Sequence, residues 1–263
     1  MEFLFPHQEY RKIQGACMNQ IYTTLQNKGQ LLVHAPTGIG KTASALSPAL
    51  TYVLKENKNK TIFFLTSRNT QHLIAVETLK KIKAKFNLSL VAVDIIGKKN
   101  MCNQSGVHLI NSGEFNEFCK DLREKGNCTF YENLRFKNKI SPEAQNVLKK
   151  LKEESPMHVE EINNINFHAD LCSYEIAAFL GKEAQVIIGD YNYMLNPHIR
   201  GSLLQRINKS LGDCIVIFDE GHNIPARARD ILSATLTSFI IEAAAKETKS
   251  LKYEKMANDL FQL

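Results

Sequence analysis

Short apolar runs alternate with amphipathic stretches over the first part of the chain. The apolar runs, each of a length typical of a strand, are 30–35 (QLLVHA), 61–66 (TIFFLT) and 88–94. The stretches with apolar residues at helical spacing are 14–26, 41–54 and 70–85. Strands that alternate with helices pair in parallel, because a parallel neighbour needs a crossover connection. The pattern therefore predicts a layered α/β domain built on a parallel sheet.

The pattern changes between about residues 98 and 168. This stretch is rich in Lys, Glu and Asn, contains helical fragments such as 141–154, and has no strand-like run. Two apolar runs that end in acids follow, 184–190 (AQVIIGD) and 214–219 (CIVIFD), so we expect the sheet to resume there. The last segment, 226–263, is helical in pattern and rich in Lys and Glu. A mostly helical insertion within the α/β domain is therefore predicted.

A glycine-rich segment follows the first apolar run and opens the second helix. Its residues are Ala35, Pro36, Thr37, Gly38, Ile39, Gly40, Lys41 and Thr42. Gly38 and Gly40 permit a tight turn whose N–H groups point at a bound triphosphate, as in a P-loop. Lys41 would neutralise the β and γ phosphates, and the Thr42 hydroxyl would contact Mg²⁺. The segment predicts a site for ATP and Mg²⁺, with Ala35 where the motif usually has glycine.

A pair of carboxylates ends the last apolar run, in the tetrapeptide from Asp219 to His222. A P-loop needs such a partner, because one acid holds the metal and another orients the attacking water. We assign Asp219 to Mg²⁺ and Glu220 to the water, and we place His222 beside Lys41 among the catalytic candidates. By itself the tetrapeptide would also suit an ordinary polar exit from a strand.

Charge and apolar content narrow the class of protein only slightly. The net charge is +6, which favours an anionic partner such as nucleic acid but does not decide the matter. No apolar run approaches the ~18 to 20 residues of a membrane span, and the N-terminus lacks a secretory signal. We therefore expect no membrane partner and a cytoplasmic location, or a nuclear one in a eukaryote.

Four of the six cysteines lie in the insertion or at its edge: Cys102, Cys119, Cys128 and Cys172. Disulfides are not expected, because an intracellular compartment keeps thiols reduced. Four thiolates suffice for a [4Fe-4S] cluster or for zinc, and four buried thiols without a metal are the third alternative. The spacing leaves these alternatives open. Cys17 and Cys214 are interpreted as core residues.

Several motifs resemble those of the XPD-type (Rad3-like) DNA helicases of superfamily 2. Residues 219–223 (DEGHN) resemble their DEAHN box, with Gly221 in place of alanine. Residues 5–8 (FPHQ) are similar to their tyrosine-proline-x-glutamine motif, and 66–70 (TSRNT) are similar to their motif Ia. The resemblance implies a RecA-like P-loop NTPase domain.

The cysteines have flanking residues that resemble the same family. Residues 97–102 (GKKNMC) resemble G-R-K-N-x-C, and 128–131 (CTFY) resemble C-x-[FY]-Y. Residues 172–175 (CSYE) are similar to C-P-Y-E, with Ser173 where the family usually has proline. The resemblance implies a [4Fe-4S] cluster held by the four cysteines of the insertion.

The resemblance also implies roles in nucleotide and DNA binding. Gln8 would contact adenine, with Gln14 as a rival for that role. Residues 186–193 (VIIGDYNY) resemble a family stretch near the DNA path, and half-buried packing is the alternative for its two terminal tyrosines. The candidates for nucleic-acid contact are Ser67, Arg68, Lys98, Lys99, Tyr191, Asn192 and Tyr193.

The domain organisation follows from the same resemblance. Residues 1–97 and 176–225 would form the first RecA-like domain, 98–175 the cluster insertion, and 226–263 the beginning of an arch domain. We expect a monomeric motor that couples ATP hydrolysis to 5′-3′ movement on single-stranded DNA and that unwinds forked DNA in DNA repair. A second RecA-like domain, which would supply arginines to the ATP site, is not found in these residues.

Two other functions are compatible with parts of the sequence. One is a P-loop ATPase with a structural zinc insert. The other is a nucleic-acid-binding module whose ATP site is vestigial, although the intact Lys41, Asp219 and Glu220 argue against decay.

Overall fold

The computed structural model describes residues 2–36, 38–137, 139–234 and 236–261. The α-helices in this part of the chain are α1 Lys12–Gln26, α2 Lys41–Lys55, α3 Asn69–Phe86, α4 Ser112–Glu124, α5 Thr129–Glu132, α6 Pro142–Glu154, α7 Val159–His168, α8 Ser173–Gly181, α9 Asn192–Leu195, α10 Pro197–Arg206, α11 Ile224–Leu232, α12 Ser238–Ser250 and α13 Glu254–Phe261. The strands are β1 Thr61–Thr66, β2 Ala92–Asp94, β3 Arg135–Phe136, β4 Lys139–Ile140, β5 Val186–Asp190 and β6 Cys214–Phe218. The chain divides into two compact units, with the boundary between Gly221 and His222.

A four-stranded parallel sheet organises the first unit, in the order β2-β5-β1-β6. In the register of β1, Phe64 lies opposite Ile188 of β5 on one side and Ile217 of β6 on the other. All residues of β1 are buried, as expected for a central strand covered on both faces. The predicted α/β class is confirmed.

The main core lies between this sheet and the first three helices. Leu50 of α2, Leu79 of α3 and Met18 of α1 are fully buried in one core with Phe64 of β1. Apolar residues recur on one face of each helix, and burying that face against the sheet is the main driving force for this packing. The helices predicted at 41–54 and 70–85 are therefore confirmed within one or two residues.

The apolar run at 30–35 does not form the predicted strand. Its residues have no regular structure, and the Leu32 side chain is 94% exposed. A strand is stable only when a neighbour pairs with its N–H and C=O groups. Among the described residues, β6 pairs with β1 alone, and the β6 residues are partly exposed. Residues 30–35 therefore lack a neighbouring strand. An apolar pattern does not reveal whether such a strand is present.

The insertion is attached to the sheet through its segment 155–159. Met157 forms a parallel bridge with Val93 of β2, and the Ser155 hydroxyl bonds to both the N–H and the C=O of Ala92. The insertion also contains the short antiparallel hairpin β3-β4, which was not predicted. Strands of two residues are too short to leave an alternating apolar pattern.

The second unit consists of α11, α12 and α13. The α12 and α13 helices pack against each other and bury Ala245 and Ala257. The helical character predicted for the last segment is confirmed over these three helices, and the compact unit begins at His222, four residues before the predicted boundary. Within the described ranges, no helix has both the length and the apolarity needed to cross a membrane.

Candidate functional site

The glycine-rich segment forms a tight turn at the start of α2. Gly38 has φ +82° and Gly40 has φ +78°, in the left-handed region that side chains disfavour. Gly40 precedes Lys41 as the N-cap residue of α2, so the turn delivers the chain directly into the positive end of the helix. This is the backbone arrangement that binds phosphate. Thr37 lies outside the described residues.

Two side chains near the start of α1 donate hydrogen bonds to this turn. The Gln14 amide Nε2 donates to the Ile39 carbonyl at 2.7 Å, and Arg11 Nη1 donates to the Gly38 carbonyl at 3.3 Å. A Cβ on Gly40 would lie only 2.7 Å from Gln14 Nε2, so close packing adds a second reason for glycine there. The Gln14 side chain is thus engaged with the loop, whereas Gln8 is exposed. No motif in the sequence indicated the contact made by Arg11.

The two predicted halves of the nucleotide site meet. Lys41 Nζ lies 2.9 Å from Glu220 Oε1, although 179 residues separate them along the chain. The sheet positions the acidic side of this contact, because β6 is a parallel neighbour of β1 and Asp219 N donates to Leu65 O at 2.9 Å. Ala35 and Pro36 lead into the turn, and Thr42 lies in the first turn of α2.

Asp219 lies in an environment that disfavours its charge. Burial, followed by repulsion from the Glu220 carboxylate, raises the pKa of Asp219 above its ordinary value, and Lys41 opposes the shift. A partly buried carboxylate beside a second one is stabilised by a bound cation. The environment of Asp219 therefore suits a ligand of Mg²⁺.

A buried tyrosine fixes the backbone of the acidic pair. The Tyr191 hydroxyl donates to the carbonyls of Asp219 and of Glu220, the latter at 3.0 Å. Glu220 itself has φ +54°, which is uncommon for a residue with a side chain. Tyr191 therefore helps to hold Glu220 in a left-handed conformation.

Burial corrects the DNA-stacking role that was predicted for Tyr191 and Tyr193. Tyr191 and Tyr193 are only 0% and 5% exposed, and the Tyr193 hydroxyl donates to Ile96 O at 2.7 Å. Rings buried in this way have no free face for a base, so stacking on DNA was the wrong interpretation and packing was the right one. Asn192 is the first residue of α9 and is partly exposed.

The other nucleic-acid candidates lie at different places. Ser67 and Arg68 follow β1, with Arg68 exposed. Lys98 lies 6.0 Å from the centre of the Tyr174 ring, and Lys99 Nζ donates to Ile110 O at 2.5 Å. His222 begins the second unit, at the boundary after Gly221.

The four cysteines of the insertion line a single cavity. Cys102 follows a short 3-10 helix, Cys119 lies in α4, and Cys128 and Cys172 are the N-cap residues of α5 and α8. Aromatic rings complete the wall, namely Phe115, Phe130, Tyr131 and Tyr174. Cys17 and Cys214 lie elsewhere and are partly exposed, which corrects their interpretation as core residues.

Hydrogen-bond donors surround the cysteine sulfurs, whereas burial by itself disfavours their charged form. Burial raises the pKa of the Cys102 thiol, and it raises that of Cys172 to about 12. Backbone N–H groups of Gln104 and Glu175 donate to these two sulfurs and oppose the shift. Gln104 Nε2 also lies 3.5 Å from Cys128 Sγ. Hydrogen bonds to sulfur are a usual feature around iron–sulfur clusters, so the residues fit such a group.

Charged groups join the cavity to the helix α10. Glu175 Oε1 lies 2.6 Å from Arg206 Nη1 and 3.8 Å from Arg123 Nη1, and the Arg123 guanidinium stacks 4.1 Å from the centre of the Tyr131 ring. Within the described ranges, no group of three or more His, Cys, Asp or Glu side chains is placed to hold a single metal ion.

A parallel sheet, a phosphate-binding turn and facing carboxylates together define a P-loop NTPase of the α/β class. The DEAD_2 family model matches residues 65–241, which is more than half of the chain. The chain belongs to this family, and within superfamily 2 it is of the XPD/Rad3-like helicase type.

Two curated relatives illustrate the likeness in sequence. A regulator of telomere elongation helicase 1 homolog of Caenorhabditis briggsae is 26% identical over 273 residues, which is 94% of this chain and 26% of the relative. The general transcription and DNA repair factor IIH helicase subunit XPD of Schizosaccharomyces pombe is 25% identical over 281 residues, which is 100% of this chain and 35% of the relative. The chain thus spans about a quarter to a third of these proteins.

Solved structures show the likeness in fold. A structure named XPD helicase matches with a TM-score of 0.61 and 21% identity, over 97% of this chain and 40% of its own. A truncated XPD matches with a TM-score of 0.58 and 22% identity, over 93% of this chain and 63% of its own.

Proposed function

We propose that this chain is the first motor domain of an ATP-dependent DNA helicase with an iron–sulfur insertion. The observation that carries the proposal is the 2.9 Å contact between Lys41 of the phosphate-binding turn and Glu220 of the acidic box. It brings the cation that would bind the γ phosphate and the carboxylate that would orient water into one reaction centre. The names of the relatives support DNA as the polymer on which the motor acts.

Different residues of this chain would bind the phosphates, orient the water and hold the metal during hydrolysis. The turn from Gly38 to Gly40 would bind the phosphates through its N–H groups. When nucleotide binds, Lys41 would leave Glu220 and contact the phosphate oxygens. Glu220 would then be released to accept a hydrogen bond from the attacking water. Asp219 and Thr42 would hold Mg²⁺, which neutralises developing charge on the phosphates. Gln8 remains the candidate for adenine.

The complete motor needs a second RecA-like domain that faces this one. Transfer of the γ phosphoryl group develops negative charge, and arginines from across the cleft would stabilise it. By itself the chain should therefore bind nucleotide weakly and should not unwind DNA. In the complete protein we propose 5′-3′ movement on single-stranded DNA and unwinding of forked DNA, with a role in DNA repair, in line with the relatives of the XPD type.

The insertion is proposed to hold a [4Fe-4S] cluster through Cys102, Cys119, Cys128 and Cys172. Support comes from the common cavity of the four thiols and from the N–H donors around their sulfurs. The cluster would add a compact redox-active group beside Lys98, and the four cysteines would fix its position relative to the motor domain.

Nucleotide binding by the purified chain tests the motor assignment. A fluorescent ATP analogue should bind in the presence of Mg²⁺, and Lys41→Ala should weaken its binding by about tenfold or more, because a charged contact to phosphate is lost. Lys58→Ala is the matched control, since Lys58 is an exposed lysine after α2. Equal affinity of the two variants would contradict the proposal, as would wild-type binding that does not depend on Mg²⁺.

A further inference from the structure

The hairpin β3-β4 places an aromatic ring in solvent on the surface of the insertion. Phe136 is 61% exposed, although it ends a strand and could have turned inward. The ring therefore gains little from the fold, because most of its apolar surface remains hydrated. A single exposed apolar residue is common on protein surfaces, so the groups around the ring decide its use.

Two lysines lie beside this ring. Phe136 lies directly opposite Lys139 in the register of the hairpin, so both side chains are on the same face. Lys137 Nζ lies 5.4 Å from the centre of the Phe136 ring. Arg135 precedes Phe136 in β3 and therefore lies on the opposite face of the hairpin. Arg135, Lys137 and Lys139 are all exposed.

Nearby acids do not neutralise these cations. The ion pairs on the surface of the insertion join other residues, Lys120 with Glu124, Lys125 with Asp121 and Lys150 with Glu154. In the part of the chain that the structure describes, no carboxylate oxygen lies within 4.0 Å of the charged nitrogens of the hairpin cations. The hairpin thus presents net positive charge around an aromatic ring.

The base of the hairpin is firmly held, in contrast to its exposed ring. Leu134 is 1% exposed, and its carbonyl accepts from Ser141 N at 2.9 Å. The Ser141 hydroxyl donates to Asn133 O at 2.7 Å, and Asn133 Nδ2 donates to Asp170 O at 3.1 Å. The preceding helix α5 lines the cysteine cavity. The ring is therefore presented by a fixed support rather than by a free loop.

We propose that this hairpin is a contact site for single-stranded nucleic acid. The Phe136 ring stacks on an unpaired base, and Lys137 and Lys139 bind the flanking phosphates. Stacking suits any base, because every base has a π face, and the cations follow the backbone without reading sequence. The inference rests on the proposed function, in that the polymer is the DNA on which the motor would act. An acidic protein segment would suit the cations but would not need the aromatic ring.

Binding of a fluorescent oligothymidylate to the full chain, followed by anisotropy over a series of salt concentrations, tests the site. Phe136→Ala should weaken binding by about 5- to 10-fold at every salt concentration, because a stacking contact is lost without a change in charge. Lys137→Ala should lower the slope of log affinity against log salt by about 0.7, the value for one phosphate contact on a single strand. Phe136→Trp, which keeps an aromatic face, should retain wild-type affinity.

Phe167→Ala is the control for the loss of an exposed ring. Phe167 is 53% exposed on α7 of the same insertion, and it lies outside the proposed site. If wild type binds and Phe136→Ala matches Phe167→Ala, the hairpin site is overturned while the proposed function stands. If wild type does not bind the oligonucleotide at all, the DNA-binding part of the proposed function fails as well. The unfolding midpoint of Phe136→Ala should equal that of wild type, since the ring packs on little.

Discussion

The charged side chains after β6 and at the start of α2 show that a binding site can lower the stability of the fold. Asp219 and Glu220 are adjacent carboxylates, and Asp219 is partly buried, so its charge is disfavoured by burial and by repulsion. Lys41 offsets only part of this cost. Sites that must bind a metal and a triphosphate commonly keep such unfavourable charges.

We predict that Asp219→Asn stabilises the chain and abolishes its Mg²⁺-dependent binding of nucleotide. The raised pKa of Asp219 means that its carboxylate costs stability at neutral pH, and that this cost disappears when the pH falls below the ordinary pKa of aspartate. Asparagine removes the charge and still accepts the hydrogen bond that Glu220 N donates to Asp219 Oδ1 at 3.1 Å. We expect the midpoint of thermal unfolding to rise by about 1 to 2 °C at pH 7, a small gain because solvent screens part of the repulsion.

Asp213→Asn provides the control of opposite sign. Hydrogen bonds from Ser210 lower the pKa of Asp213, so its charge is favoured by the fold. Its neutralisation should not stabilise the chain. A lower midpoint for Asp219→Asn than for wild type, or a gain that persists unchanged at pH 3, would contradict the electrostatic explanation.

At the scale of elements, one buried acid joins three of them. Asp94, at the end of β2, is fully buried, and its Oδ1 lies 2.5 Å from His72 Nδ1 of α3. Its Oδ2 accepts from Val159 N of α7 at 3.0 Å and lies 3.6 Å from His158 Nε2. The sheet, a core helix and the insertion thus converge on one carboxylate.

We predict that Asp94→Ala lowers the free energy of unfolding by about 3 kcal/mol, because it leaves buried donors without an acceptor. Urea unfolding followed by circular dichroism would measure the change. Asp121→Ala is the matched control, since Asp121 is an exposed acid of the insertion that pairs with Lys125 at 2.7 Å. Surface pairs of this kind contribute little, and we expect a change within about 0.5 kcal/mol. Equal effects of the two variants would show that Asp94 does not join the elements.

At the scale of the whole molecule, the fold gathers cysteines that are far apart in the chain. Cys102 and Cys172 are separated by 70 residues, and each lies at the end or start of a different helix. Their place in one cavity depends on the packing of the insertion, for example on the hydrogen bond from Cys172 N to Phe130 O at 2.8 Å.

We predict that chain purified without oxygen is brown and contains four irons and four acid-labile sulfides per molecule, as a [4Fe-4S] cluster requires. Serine at Cys102, Cys119, Cys128 or Cys172 should remove the visible absorption, because each change removes one ligand. Serine at Cys17 or Cys214 should leave it intact, since these two lie outside the cavity. A colourless protein with one zinc ion per chain would contradict the cluster and support the zinc alternative.

Much of the nucleotide site could be predicted because its chemistry is local in sequence. The turn needs glycine at Gly38 and Gly40 for their positive φ, and a lysine must follow directly. The acidic pair likewise has to follow an apolar strand, since parallel strands carry functional groups at their carboxyl ends. The roles of Arg11 and Tyr191 could not be predicted, because they depend on contacts with residues far away in the chain.

The sequence by itself determined the α/β class, the phosphate-binding turn, the acidic box and the positions of the first three helices, since each depends on the period or order of neighbouring residues. Only the tertiary structure decided that 30–35 is no strand, that Tyr191 and Tyr193 face inward, and that Phe136 faces outward. The physical reason is the same in each case. Strand pairing and side-chain burial depend on the partner that lies opposite, and an apolar or aromatic residue does not specify that partner.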